Sequence, residues 1–183
     1  FGINYVENDA APDVSTIILN MVSELKLLCE SHSLALPTVV FEPGRSIIAN
    51  AGVTLYSVGA IKHIPSIKTY LFVDGGMADN PRPIMYKSNY SFDLVSPNSP
   101  DRHTYSIAGK FCESGDILAE DVELPVAKPN DHVVVYGTGA YNYSMASNYN
   151  RFCRPAMVLL ESGTASCIVH RETYEDIIQY DQS

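Results

Sequence analysis

The chain has 183 residues, enough for one ordinary domain or two small ones, and its 46% apolar and 18% charged residues exclude a disordered polymer. A net charge of -9 with no basic stripe argues against nucleic acid or an anionic membrane surface as partners. No apolar run approaches the roughly 20 residues of a membrane span, and the four cysteines show no CxxC spacing, a usage expected of a reduced, cytoplasmic protein.

The first residue is Phe1, so the chain is expected to begin inside a larger gene product or after processing. Residues Pro12 to Ser33 read as a helix: Val14, Ile17, Ile18, Met21, Val22, Leu25, Leu28 and Cys29 recur at steps of three and four and form one apolar stripe. Pro12 suits the first turn, and Asp13 suits the positive helix end. Thr38 to Phe41 then reads as a short, fully buried strand after Pro37. Helix followed by buried strand is the pattern of a parallel α/β layer or barrel.

Beyond about Asn50 the pattern becomes all-β. Val53–Val58, Thr69–Val73, Tyr105–Ala108, His132–Tyr136, Ala156–Leu160 and Ser166–Val169 read as strands punctuated by Gly, Pro, Asn and Asp, with a closing helix near Arg171 to Ile178. Two regions are therefore expected, 1–50 and 51–183. The first is far too short to close a barrel, which takes about 250 residues, so it reads as a barrel remnant.

Four loops carry chemistry. Glu42-Pro43-Gly44-Arg45 follows the predicted buried strand, and a glycine that admits backbone N–H groups beside a forked guanidinium suits an anion. A plain turn with a surface ion pair fits those four residues equally well. Asp74 to Pro83 is a long turn in which Arg82 stands between two prolines, a stiff mount for a carboxylate clamp or simply a solvated arginine. Cys112-Glu113-Ser114-Gly115-Asp116 places a thiol between acids; a thiol donates a proton near neutral pH, although a lone cysteine is most often a small buried apolar residue. Gly137 to Tyr141 lets the chain approach something flat, and the residues from Tyr141 to Asn150 resemble a lining more than a core strand. Gly2 is a candidate for the end of a glycine-rich phosphate loop. Cys29 and Cys167 read as buried packing residues, with Cys153 leaning the same way. His32, His63, His103, His132 and His170 show no metal-ligand spacing, so no metal is expected.

The ordered set of motifs resembles the alanine-racemase-like (fold type III) pyridoxal-phosphate decarboxylases over nearly the whole chain: Phe1 to Tyr5, EPGR at Glu42, DGGMADNPRP at Asp74, Tyr86, CESGD at Cys112, GAYNYSMASNYN at Gly139, RPAMVL at Arg154 and RETYEDI at Arg171. The resemblance implies the last segment of a cofactor-binding (β/α)8 barrel followed by a C-terminal β domain, with pyridoxal 5′-phosphate as cofactor. It implies that Glu42 faces the pyridine nitrogen, that Gly2, Gly44 and Arg45 lie at the phosphate, and that Tyr141 sits against cofactor and substrate. Arg45, Arg82 and Tyr86 would grip the substrate's distal carboxylate, Glu113 its distal ammonium, and Cys112 would return the proton after carbon dioxide leaves. Cys112 and Glu113 would reach into the partner's site, so a homodimer is implied.

A substrate that keeps an amino-acid head at its far end needs both a cation and an anion to hold it. Arg82 and Glu113 therefore favour meso-2,6-diaminopimelate, decarboxylated to L-lysine, over ornithine, arginine or carboxynorspermidine. A non-catalytic, dimerising fragment is the alternative of another class. The family's cofactor-binding lysine is expected upstream of Phe1, and none of Lys26, Lys62, Lys68, Lys87, Lys110 and Lys128 sits in its motif.

Overall fold

The computed structural model describes residues 2–3 and 13–182. Helix α1 (Val14–Ser31) starts where a cap is available: the Asp13 carboxylate accepts from the Ser15 N–H at 3.0 Å, satisfying a donor that the helix leaves open. Pro12, assigned to the same turn from sequence, lies outside the described residues. The apolar stripe is covered only in part. Cys29 is buried and Val14, Ile17, Ile18, Val22 and Leu25 are half-buried, but Met21 and Leu28 are more than half exposed.

The predicted strand at Thr38 to Phe41 is corrected. These residues join no sheet, and Val40 is 78% exposed. A strand exists only where backbone groups pair along a ladder, and among the described residues both sheets are built without this segment. After a one-turn helix α2 (Arg45–Ile48) and a 3-10 turn at Ala49–Ala51 the β region begins.

Its strands are β1 (Val53–Ile64), β2 (Lys68–Val73), β3 (Phe92–Val95), β4 (Arg102–Ala108), β5 (Ile117–Pro125) and β6 (His132–Tyr136). They form one sheet in the order β3-β6-β1-β2-β4-β5, antiparallel except for β2 against β4. The twelve-residue β1 serves two partners. Val53–Ser57 pair with β6, and Val58–Ile64 pair with β2 across a bulge at Gly59. A bulge bends and twists its strand, and here it curls the sheet until β3 and β5 approach one another. Val58, Leu71, Ile107, Leu124, Val133 and Val135 fill the enclosed core, each nearly inaccessible to solvent.

Between β2 and β3 lies helix α3 (Arg82–Tyr86), and after β6 comes α4 (Asn142–Met145). A separate hairpin, β7 (Met157–Glu161) with β8 (Thr164–Val169), turns at Ser162 and Gly163, both with positive φ as a type I′ turn requires. Helix α5 (Tyr174–Ile178) follows. It starts later than Arg171 because Thr173 and Asp176 close a capping box there.

Candidate functional site

The EPGR turn and the Gly137–Tyr141 segment are forced together by backbone. The Gly139 N–H donates to the Ala49 carbonyl at 2.9 Å and the Thr138 N–H to the Gly52 carbonyl at 3.0 Å. A Cβ on Gly139 would stand 2.2 Å from the Ile48 oxygen, so only glycine admits this approach. Tyr141 consequently lies across the start of α2 in a left-handed conformation, φ +71°. Its hydroxyl occupies the space a side chain on Gly44 would take, and the Arg45 guanidinium stacks over its ring at 4.7 Å from the centroid.

The 74–83 turn brings a second cation to the same ring. Pro81 caps α3, and Arg82 opens it. The Arg82 guanidinium lies 4.7 Å from the Tyr86 ring centroid and 6.0 Å from that of Tyr141, with Nη1 at 3.7 Å from the Met145 sulfur. Its Nε is buried without a hydrogen-bond partner, a donor left aimed at nothing the described residues provide. The turn is stapled to α4 from beneath: Asn142 Nδ2 donates to Asn80 Oδ1 at 2.6 Å, and the Ser147 N–H to the Ala78 carbonyl at 2.8 Å. Below it, the buried Tyr56 hydroxyl donates to Asp79 at 2.5 Å. Burial pushes both groups up from their ordinary values, and the Asp79 charge adds to the effect on the Tyr56 hydroxyl.

The CESGD loop joins β4 to β5. Cys112 and Glu113 are both exposed, so the buried alternative for Cys112 is corrected. The Glu113 carboxylate accepts from the Gly115 N–H and the Ser114 hydroxyl, each at 3.2 Å, and from the Tyr149 hydroxyl at 3.4 Å; the Gly115 bond first, then Ser114, holds it below its ordinary range. Of the other cysteines, Cys29 is buried and Cys153 half-buried, but Cys167 is exposed. Its β8 lies in the two-stranded hairpin, where nothing among the described residues covers that position.

The structure thus gathers Gly44, Arg45, Arg82, Tyr86 and Tyr141 on one surface. Cys112 and Glu113 stand on a separate loop against Tyr149, and Glu42 and Gly2 are exposed. Sequence reading missed Met145, Tyr149, the Asn80–Asn142 pair and Asp79. All lie inside the quoted motifs, but only tertiary contacts give them roles. A cavity of about 310 Å³ opens behind Glu113, lined by Lys62, Tyr70, Phe72 and Phe111, and it does not include the arginine cluster. Among the described residues no group of three His, Cys, Asp or Glu side chains could hold a metal, and no helix is long and apolar enough to cross a membrane.

Residues 8–139 match the family described as pyridoxal-dependent decarboxylase, C-terminal sheet domain. The chain is 48% identical over 181 residues to the diaminopimelate decarboxylase of Synechocystis sp., covering 98% of this chain and 39% of that protein. It is 44% identical over 182 residues to that of Bacillus subtilis, covering 99% and 42%. The crystal structure of diaminopimelate decarboxylase from M. jannaschii in complex with L-lysine superposes with a TM-score of 0.88 at 34% identity, over all of this chain and 41% of that one. The chain therefore spans about two fifths of the length of the relatives it matches.

Proposed function

The chain belongs to the pyridoxal-dependent decarboxylases, whose C-terminal sheet domain it carries, and from that premise we propose that it is the C-terminal part of an enzyme converting meso-2,6-diaminopimelate to L-lysine and carbon dioxide. Residues 1–50 are then the end of the cofactor-binding barrel and 51–183 the sheet domain. The enzyme is a cytoplasmic homodimer. The cofactor-binding lysine belongs to the barrel upstream of Phe1.

The observation that carries this reading is the meeting of two guanidinium groups on the exposed Tyr141 ring, one of them with an orphaned Nε. Arginine forks match carboxylate and phosphate oxygens, and an aromatic face suits a planar ring. These residues fit pyridoxal phosphate with an anionic substrate group beside it. Bound there, the cofactor supplies the electron sink that lets a carbon–carboxylate bond break.

Gly44 and Arg45, with Gly2, would hold the phosphate. Glu42 would face the pyridine nitrogen and keep it protonated. Arg82, Arg45 and Tyr86 grip the distal carboxylate of the substrate, and Glu113 pairs with its distal ammonium. Hydrogen bonds from the Gly115 N–H and the Ser114 and Tyr149 hydroxyls hold the Glu113 carboxylate in place. Tyr141 would sit against the cofactor and the substrate. Cys112, exposed at the tip of its loop, delivers a proton to the carbon that has lost carbon dioxide, acting in the neighbouring subunit's site.

Carbon dioxide release by the complete enzyme, measured on meso-diaminopimelate, ornithine, arginine and carboxynorspermidine in parallel, tests the reading. Diaminopimelate is expected to give by far the highest kcat/KM. A preference for carboxynorspermidine, which lacks the distal amino-acid head, would remove Arg82 from its role.

A further inference from the structure

We propose that Asp116 is a positioning residue that locks the loop bearing Cys112 and Glu113 in register with the loop bearing Arg82. The inference rests on the reading of Cys112, Glu113 and Arg82 given above and adds to it a device that aligns them.

Asp116 is 3% exposed, yet it ends a loop whose other polar residues face solvent. One carboxylate oxygen accepts from the Met77 N–H at 2.7 Å, in the Asp74–Pro83 turn, and the other from the Phe111 N–H at 2.9 Å, in its own loop. The group therefore bridges two segments 39 residues apart in sequence. Backbone reinforces the bridge, because the Lys110 N–H donates to the Gly75 carbonyl and the Gly109 N–H to the Asp116 carbonyl, both at 2.9 Å.

Two glycines make room for the carboxylate. A Cβ on Gly76 would lie 2.5 Å from one of its oxygens, and a Cβ on Gly109 2.2 Å from the other. The side chain is thus walled on both sides and cannot change rotamer without breaking both bonds. The acceptor must also be a carboxylate. An amide of the same shape has one acceptor oxygen and turns its NH2 toward one of the two N–H donors, so one bridge is lost and a buried donor is left unpaired. Cys112 and Glu113 lie between Phe111 and Asp116, the two ends of this clasp, so a slip there displaces both.

The test is Asp116→Asn in the complete, cofactor-loaded enzyme. A misplacement of about 1 Å lowers rates by roughly tenfold to a hundredfold. We expect a fall of that order in kcat/KM for diaminopimelate, divided between a higher KM, from Glu113, and a lower kcat, from Cys112. A second readout is insensitive to mere loss of folded protein. In heavy water the product gains one deuterium at the carbon that lost carbon dioxide. The native enzyme should place it on one prochiral face, and Asp116→Asn should scramble it. Cys112→Ala is the parallel control: if that variant keeps native kcat and labelling, the proton-donor reading fails rather than the clasp. If Cys112→Ala is impaired and scrambled while folded Asp116→Asn matches the native enzyme, the clasp is overturned. Should Asp116→Asn not fold, hydrogen exchange on the native enzyme decides: the Met77 and Phe111 amides should open together with the same protection, and independent opening would overturn the proposal.

Discussion

A Cβ added to Gly44 or to Gly139 would fall 2.1 or 2.2 Å from another heavy atom, yet what stands opposite differs, and that decides the outcome of substitution. Opposite Gly44 is the tip of Tyr141, a partly exposed side chain that can give way at the cost of its stacking on Arg45. Opposite Gly139 are the Ile48 and Ala49 carbonyls and the Gly52 nitrogen, all backbone, and the Ala49 carbonyl accepts from both the Gly52 and the Gly139 N–H. Gly139→Ala should therefore cost stability, about 1–3 kcal/mol by the usual penalty of overpacking, read as a lower urea midpoint. Arg82 presents the opposite case. Its guanidinium makes stacking contacts and one long sulfur contact but leaves Nε unused, so little of the fold depends on it. Arg82→Ala in the complete enzyme should leave the urea midpoint nearly unchanged and raise KM. Loss of a buried charge-assisted pair is worth about 2–5 kcal/mol; an unaltered KM would take Arg82 out of substrate binding.

At the scale of elements, two carboxylates tie down the C-terminal segment, Asp181 on Arg151 and Glu172 on Arg154, and Glu172 makes the larger set of bonds. Glu172 accepts from the Arg154 N–H at 2.8 Å, from Arg154 Nε at 2.7 Å and from Asn148 Nδ2 at 2.6 Å, tying the start of α5 to the chain after α4. The Arg154 side chain, then its backbone N–H and Asn148, hold the Glu172 carboxyl down at about 2 against an ordinary 4.5. A depressed carboxylate stabilises the fold above its unfolded value and loses that contribution as pH falls from about 4.5 to about 2. Because Arg154 is partly exposed, solvent screening holds the effect to about 1–2 kcal/mol. Glu172→Gln should lower the urea midpoint around pH 6, and the gap from native should close as the medium is acidified through that window; a gap independent of pH would mean that packing, not charge, makes the clasp. The elements themselves were largely legible. Runs such as His132 to Tyr136 are buried on both faces and announce themselves by apolar content. β5 was missed because Glu120, Asp121 and Glu123 face water, and Asp121 takes a positive φ that breaks the alternation. β3 is four residues long, too short to show a period. The opposite error, a strand at Thr38 to Phe41, arose because apolar content marks burial somewhere but does not supply a partner.

For the whole molecule, the unburied apolar surface is as informative as the core. Leu19, Leu27, Val40, Ile47 and Leu55 are each 59–78% exposed, on segments that flank the Arg45–Tyr141 surface in sequence. Exposed apolar side chains in that number suit a contact face, and in the proposed enzyme the barrel covers them. The site was legible as an ordered set of motifs, and the meeting of Arg45, Arg82 and Tyr141 follows from close backbone approach at Gly52 and Gly139, which no local pattern reveals. Cys112 and Glu113 stand apart from that meeting point, since their loop leans on Tyr149 rather than on the arginines, and the proposed function seats them in the neighbouring subunit's site. If each site joins Arg45 of one subunit to Cys112 of the other, two inactive variants should repair one another. Arg45→Ala and Cys112→Ala subunits of the complete enzyme would each be nearly inert alone. Unfolded together and refolded, they should recover roughly a quarter of native activity, because random pairing makes about half the dimers mixed and each mixed dimer holds one intact site of two. No recovery, with mixed dimers demonstrated by differential tagging, would place both residues in the same subunit's site and end the shared-site reading.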